Sequence, residues 1–220
     1  MRLPLGSLEH KFIPAPIPAV DQGPKTILIL AHGRGGKWTL MEWLSKRFKI
    51  PGLDYLCIQA PFPEDVPEMK AAGFSWYIMP KHQGIEKSRD TIQKLLQQLM
   101  DSGYSPERIL WLGFSQGGVM AIDTALRSNI LFGGFVCVSG FVIKIEEYPR
   151  AFGKFAKEQN LLCTYGSRDP IVPPEKALRS FQALEALGGP LHYQEYDKPH
   201  SFELRKEIPD LEKKIKDWMK

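Results

Sequence analysis

The sequence predicts an α/β fold: a mostly parallel sheet with helices on both faces, in one domain over residues 1–220. Two observations carry this. The first is a set of short apolar runs, TILILA from Thr26, DYLCIQA from Asp54, RILWLGF from Arg108, GGFVCVSG from Gly133 and NLLCTYG from Asn160, each bounded by Gly, Pro or Asp. Runs of this length and composition are strands buried on both faces. The second is the helical periodicity of the stretches between them. In Ile85 to Ser102, Ile85, Ile92, Leu95, Leu96, Leu99 and Met100 share one face and Gly103 supplies the stop. Further helices are expected over Trp38 to Phe48, Gln116 to Arg127, Glu175 to Leu187, and Ile208 to Lys220, the last with Leu211, Ile215, Trp218 and Met219 on one side. Right-handed crossovers then place helices on both faces, and ligands collect beyond the carboxyl ends of the strands.

Residues 1–24 read as an N-terminal edge strand and connector. LEHKFI has strand character, and Pro14, Pro16 and Pro18 forbid helix and favour extended chain. The opening MRLPLGSLEHKF lacks the apolar stretch of a signal peptide, and the longest aliphatic run, Ile27 to Ala31, is far too short to cross a bilayer. A cytoplasmic protein without integral membrane association is expected. The formal charge of +4 comes from 29 basic and 25 acidic residues spread along the chain with no Lys/Arg block, so nucleic acid is not an expected partner. Cys57, Cys137 and Cys163 sit inside apolar runs, an odd, widely spaced set that makes neither a disulfide framework nor a zinc pattern. They read as small buried hydrophobes.

The strongest motif is Gly113-Phe114-Ser115-Gln116-Gly117, a G-x-S-x-G that falls where RILWLGF ends and QGGVMAIDTALR begins. This motif works only between a strand and a helix, because a tight turn must lift the serine oxygen above the sheet. Both flanks are present. The bland alternative is that Ser115 only caps a helix.

A serine hydroxyl needs a base within hydrogen-bond reach, itself oriented by a third group. Asp169 follows LLCTYG, and His200 follows the strand-like LHYQEY, so the chain order is Ser, acid, His, each after a strand. Asp197 is the rival acid. His10 and His82 precede Ser115 without strand-end context, His192 lies within an expected strand, and Asp123, on the helix after Ser115, is expected to face solvent or cap a local pair. The oxyanion donors are expected to be the backbone amides of Gln116, after the nucleophile, and of Arg34, in the loop His32-Gly33-Arg34-Gly35-Gly36.

With these pieces in place, the sequence resembles the phospholipase/carboxylesterase family of small α/β-hydrolases over nearly the whole chain after Lys25. The resemblance is carried by AHGRGG, APFP, SWY at 75–77, GFSQGG, VSGF, DPIVP and HS at 200–201. It implies an α/β-hydrolase fold with an eight-stranded type of sheet and no large lid, no metal and no organic cofactor. It also implies activity on small acyl esters, thioesters, lysophospholipids or S-acylated proteins. The family's triad and oxyanion positions fall on Ser115, Asp169, His200, Arg34 and Gln116. The chain departs from the family pattern at Tyr165, where a His usually precedes Gly166, and at Lys198-Pro199, where a Gly often stands shortly before the histidine.

Trp76 and Met79, in an apolar segment between strand and helix, together with Phe141, Ile171 and Val172, are placed to line an acyl pocket. Packing into the core is the alternative for each. Arg168 either attracts an anion or points to water. A monomer or a homodimer is expected. The same triad serves a peptidase or an acyltransferase, and a non-catalytic binding protein on this scaffold is the alternative from another class.

Overall fold

The computed structural model describes residues 8–18, 24–67 and 71–220; part of the expected N-terminal strand and connector, at residues 1–7 and 19–23, lies outside them. The main sheet contains, among the described residues, β1 (His10–Ile13), β2 (Thr26–Ala31), β3 (Leu53–Ile58), β6 (Ile109–Phe114), β7 (Gly134–Val138), β8 (Leu161–Gly166) and β9 (His192–Tyr196). Its order is β1-β3-β2-β6-β7-β8-β9. β1 runs antiparallel to β3 at the edge, and every other pairing is parallel. Among the described residues the sheet has seven strands, where the resemblance implies an eight-stranded type of sheet.

Successive residues of the central strands point to opposite faces, and both faces are buried. Ile27, Ile29, Trp111, Phe135 and Cys137 join a core with α2 (Ile85–Asp101), α3 (Gln116–Arg127) and α5 (Pro174–Ala186). Leu28, Leu30, Leu112, Val136 and Val138 join a second core with α1 (Trp43–Arg47) and α6 (Glu207–Trp218). This two-sided burial is why the strands read as unbroken apolar runs rather than as alternation.

One expectation is corrected by the backbone. The helix expected over 38–48 is a 3-10 turn, Trp38–Leu40, followed by the short α1. Bonds of the i to i+3 type, Leu40 N–H to the Lys37 carbonyl at 3.0 Å and Leu44 N–H to the Met41 carbonyl at 3.1 Å, tighten it, while Gln59 Oε1 accepts the Trp38 N–H at 3.2 Å and pins its start. The segment after APFP also carries strand: β4 (Phe62–Val66) pairs antiparallel with β5 (Ala71–Ser75) as a separate hairpin.

Asp123 does not face solvent. Its carboxylate is buried and receives Arg89 Nε at 2.8 Å and Nη2 at 2.9 Å, Arg127 Nε at 3.0 Å and the Tyr148 hydroxyl at 3.1 Å. It therefore ties α2 to α3 and to α4 (Tyr148–Ala151). All three cysteines are free and buried, and burial pushes the Cys57 thiol up to about 12, away from nucleophilic chemistry. No helix among the described residues is long and apolar enough to cross a membrane. Removing one partner of a buried ionic network strands the others, at about 3–5 kcal/mol. Asp123→Ala is therefore expected to lower unfolding free energy by about 3 kcal/mol, the low end because both arginines reach water. Urea unfolding of the variant against the wild type measures this.

Candidate active site

β6, β8 and β9 deliver the three candidate side chains to one edge of the sheet. Ser115 follows Phe114 at the end of β6 and precedes α3. The turn is forced: Ser115 takes φ 51°, ψ −116°, a conformation that side-chain-bearing residues rarely adopt. Its N–H donates to the Val138 carbonyl at 2.8 Å. The flanking glycines are steric necessities, since a Cβ on Gly113 would stand 2.0 Å from the Gly117 oxygen, and one on Gly117 would stand 2.3 Å from the Ala31 oxygen. Without those side chains, α3 closes onto the ends of β2 and β6.

The Ser115 hydroxyl lies 3.0 Å from His200 Nε2, and His200 Nδ1 lies 2.6 Å from Asp169 Oδ2. Asp169 is buried, and its second oxygen accepts the N–H groups of Ile171 and Val172, each at 2.9 Å, so both carboxylate oxygens are engaged. With the Nδ1 proton held by Asp169, Nε2 is the acceptor that faces the serine. The rival acid, Asp197, is 80% exposed and pairs with Arg168 on the surface, while Asp169 takes His200 Nδ1.

The glycine loop after β2 meets the elbow. A Cβ on Gly33 would come within 3.2 Å of Ser115 Cβ, so this loop packs directly against the serine turn. Gln116 opens α3, where the first amides have no intrahelical acceptor. Its side chain spans to the neighbouring segment, Oε1 accepting the Trp76 N–H and Nε2 donating to the Tyr77 carbonyl, both at 3.0 Å.

Several residues that sequence reasoning left without a role hold this loop. His32 is buried; its Nδ1 bonds the Gly33 carbonyl at 2.7 Å and its Nε2 accepts the Ala60 N–H at 3.0 Å. The β4–β5 hairpin buttresses the same loop: the Phe74 N–H donates to the Gly36 carbonyl at 2.9 Å, Ser75 Oγ accepts the Gly35 N–H at 3.0 Å, and Glu64 accepts the Arg34 guanidinium at 2.9 Å. A Cβ on Gly73 would strike the Gly35 oxygen at 2.4 Å, which explains the glycine in β5.

The expected pocket residues divide. Trp76 is a correction: it is fully buried, its indole N–H donates to the His32 carbonyl at 2.8 Å, and it packs near Trp111 in the core, because its backbone is held inward by Gln116. Val172 is buried beside the acid as well. Met79 and Ile171 are exposed, and Phe141 is half-buried with the Lys176 ammonium 3.8 Å from its ring centre. An aromatic run that sequence reasoning missed lies against the base instead: Phe114 is centred 4.9 Å from His200, Phe202 stacks on Phe114 at 5.2 Å, and Trp43 meets Phe202 edge-on at 5.4 Å. The pattern F-S at 114–115 and H-S-F at 200–202 was the available signal.

A serine elbow on a parallel sheet, with acid and histidine following in chain order at later strand ends, is the architecture of an α/β-hydrolase. The chain belongs to the phospholipase/carboxylesterase family, whose sequence profile matches residues 15–219. It is 29% identical to acyl-protein thioesterase 1 of Emericella nidulans across 78% of this chain and 80% of that one, and 25% identical to acyl-protein thioesterase 1 of Gibberella zeae across 92% and 94%. Among solved structures it is similar in fold to SOBER1 of Arabidopsis thaliana, with TM-score 0.80 at 23% identity over 89% of this chain and all of that one. It is likewise similar to esterase PE8, with TM-score 0.80 at 20% identity over 96% and 99%.

His32 yields a prediction about the loop. Burial pulls its pKa down from 6.5 to about 4, the hydrogen bond to Gly33 opposing this only in part. Between pH 6.5 and 4 the unfolded chain binds a proton that the native imidazole refuses, so this contribution is complete above pH 6.5 and is lost as pH falls towards 4. The loss amounts to about 3 kcal/mol. Unfolding free energy of the wild type is expected to fall from pH 6.5 to 5 more steeply than that of His32→Asn, measured by urea titration at each pH.

Proposed function

We propose that this protein is a serine hydrolase of carboxylic esters or thioesters that works through an acyl-enzyme on Ser115. The observation that carries the reading is the continuous line of hydrogen bonds from Ser115 through His200 to Asp169, at 3.0 and 2.6 Å. In the forward step His200 Nε2 takes the hydroxyl proton as Ser115 Oγ attacks the acyl carbonyl, and Asp169 stabilises the imidazolium that forms. The amides of Arg34 and Gln116 receive the oxyanion, with the N-terminus of α3 adding positive potential behind it. His200 then returns the proton to the departing alcohol or thiol, and water repeats the sequence on the acyl-enzyme.

The substrate class is a small acyl ester, thioester or lysophospholipid, and it rests on the family and on relatives named as thioesterases. The half-buried Phe114 and Phe202 rings beside His200 favour an uncharged group at the reacting carbonyl.

A fluorophosphonate probe tests the nucleophile without requiring the natural substrate. Label is expected on Ser115 and nowhere else, with none in Ser115→Ala or His200→Ala. With a short p-nitrophenyl ester, Asp169→Asn is expected to lower kcat about 10⁴-fold, because Asn fixes the wrong imidazole tautomer. Ranking ester, thioester and amide substrates by kcat/KM separates esterase, thioesterase and peptidase. Absence of both labelling and turnover in well-folded protein would leave the non-catalytic reading.

A further inference from the structure

Glu207, the first residue of α6, has a fully buried carboxylate that the proposed chemistry does not use. Its Oε1 accepts Lys198 Nζ at 2.5 Å and the Thr164 hydroxyl at 2.5 Å, and its Oε2 accepts the Glu203 N–H at 2.8 Å. Lys198 and Glu203 bracket His200, so one carboxylate grips both ends of the loop that presents the imidazole. Thr164 lies in β8, the strand that leads into Asp169. The same carboxylate thus fixes the histidine loop to the strand that carries its acid.

The main chain follows this path. The Arg168 N–H donates to the Lys198 carbonyl at 3.2 Å, and the lysine stem crosses Gly166, where a Cβ would stand 2.3 Å from the Lys198 oxygen and 3.0 Å from its Cγ. Between the two grips, the backbone bond within the loop is Ser201 N–H to the Pro199 carbonyl at 2.7 Å. On its other side the loop is flanked by the rings of Phe114 and Trp43, which pack against Phe202. A buried ion pair contributes little net stability compared with apolar residues of similar volume, whereas its geometry is strongly directional. A lysine whose side chain is 1% exposed, two residues before the histidine, is therefore better explained by what it orients than by what it stabilises.

We propose that Glu207 and Lys198 are positioning residues that clasp the His200 loop and set the distance of the imidazole from Ser115 and Asp169; this rests on the hydrolase reading above. They touch no substrate. Misplacement of a reacting group by about 1 Å can cost on the order of 100-fold in rate.

The test uses two variants of the full chain, the near-isosteric Glu207→Gln and the double substitution Lys198→Met with Glu207→Leu, which exchanges the pair for apolar groups. Folding is read by thermal midpoint and near-ultraviolet circular dichroism. Kinetics are measured on a short p-nitrophenyl ester, and the downfield proton resonance of the His200 Nδ1–H bonded to Asp169 is recorded without substrate. The clasp predicts that a folded variant loses about 10- to 100-fold in kcat, keeps KM within about threefold, and broadens or loses the downfield resonance. A folded variant that keeps the wild-type resonance overturns the proposal, whether kcat is unchanged or kcat and KM worsen together. Because the resonance needs no turnover, a protein inert to every ester whose resonance still disappears on substitution would retain the clasp and reject only the hydrolase reading.

Discussion

The structure is organised by the demand that three side chains, 85 residues apart at the extremes, meet within hydrogen-bond distance at one edge of a sheet. Hydrogen bonds weaken within a few tenths of an ångström, and loops alone do not hold such tolerances. The parallel order β6-β7-β8-β9 supplies the frame. It sends each chain out at a carboxyl end, spaced by the sheet, so that short loops suffice to bring Ser115, Asp169 and His200 into line. Burial of both sheet faces makes that frame rigid, and the two cores on either side serve the site by fixing where its strands end.

Around this line the molecule spends its polar interior on loop geometry. His32, Ser75 and Gln116 bind backbone groups of the glycine loop or of the segment that packs against it. Asp169 is fixed by two amides, and Glu207 by a lysine, a threonine and an amide. Buried polar groups are costly unless satisfied, so their concentration beside the elbow marks the part of the fold where position matters more than stability. Asp123 is the contrasting case: equally buried, it joins helices rather than loops, and it belongs to the frame.

What the sequence made legible follows from how local each signal is. The strands and α3 were readable because burial on both faces leaves unbroken apolar runs, and Ser115 because its elbow needs glycine at fixed offsets. Asp169 and His200 were readable as strand-end residues. Other features depend on partners distant in the chain. Asp123 looks solvated on a helix until α2 brings Arg89 against it. Lys198 looks like a surface lysine until α6 places Glu207 beneath it. The hairpin strand Ala71–Ser75 shows no alternation, because it is defined by pairing with β4 and by the bridge from Phe74 to Gly36, contacts distant from its own sequence pattern. Trp76 was misplaced for a related reason: its apolar character was visible, but the Gln116 side chain that turns its backbone inward was not.

The central claim is that the alcohol of Ser115 carries the acyl group between the two halves of the reaction. Rapid acid quench of the protein during turnover of a short-chain ester, followed by peptide mass spectrometry, tests it most directly. The account predicts an added acyl mass on the peptide containing Ser115, accumulating within the first turnover. Steady turnover with no acyl mass on that serine, or with the mass on another residue, would contradict it.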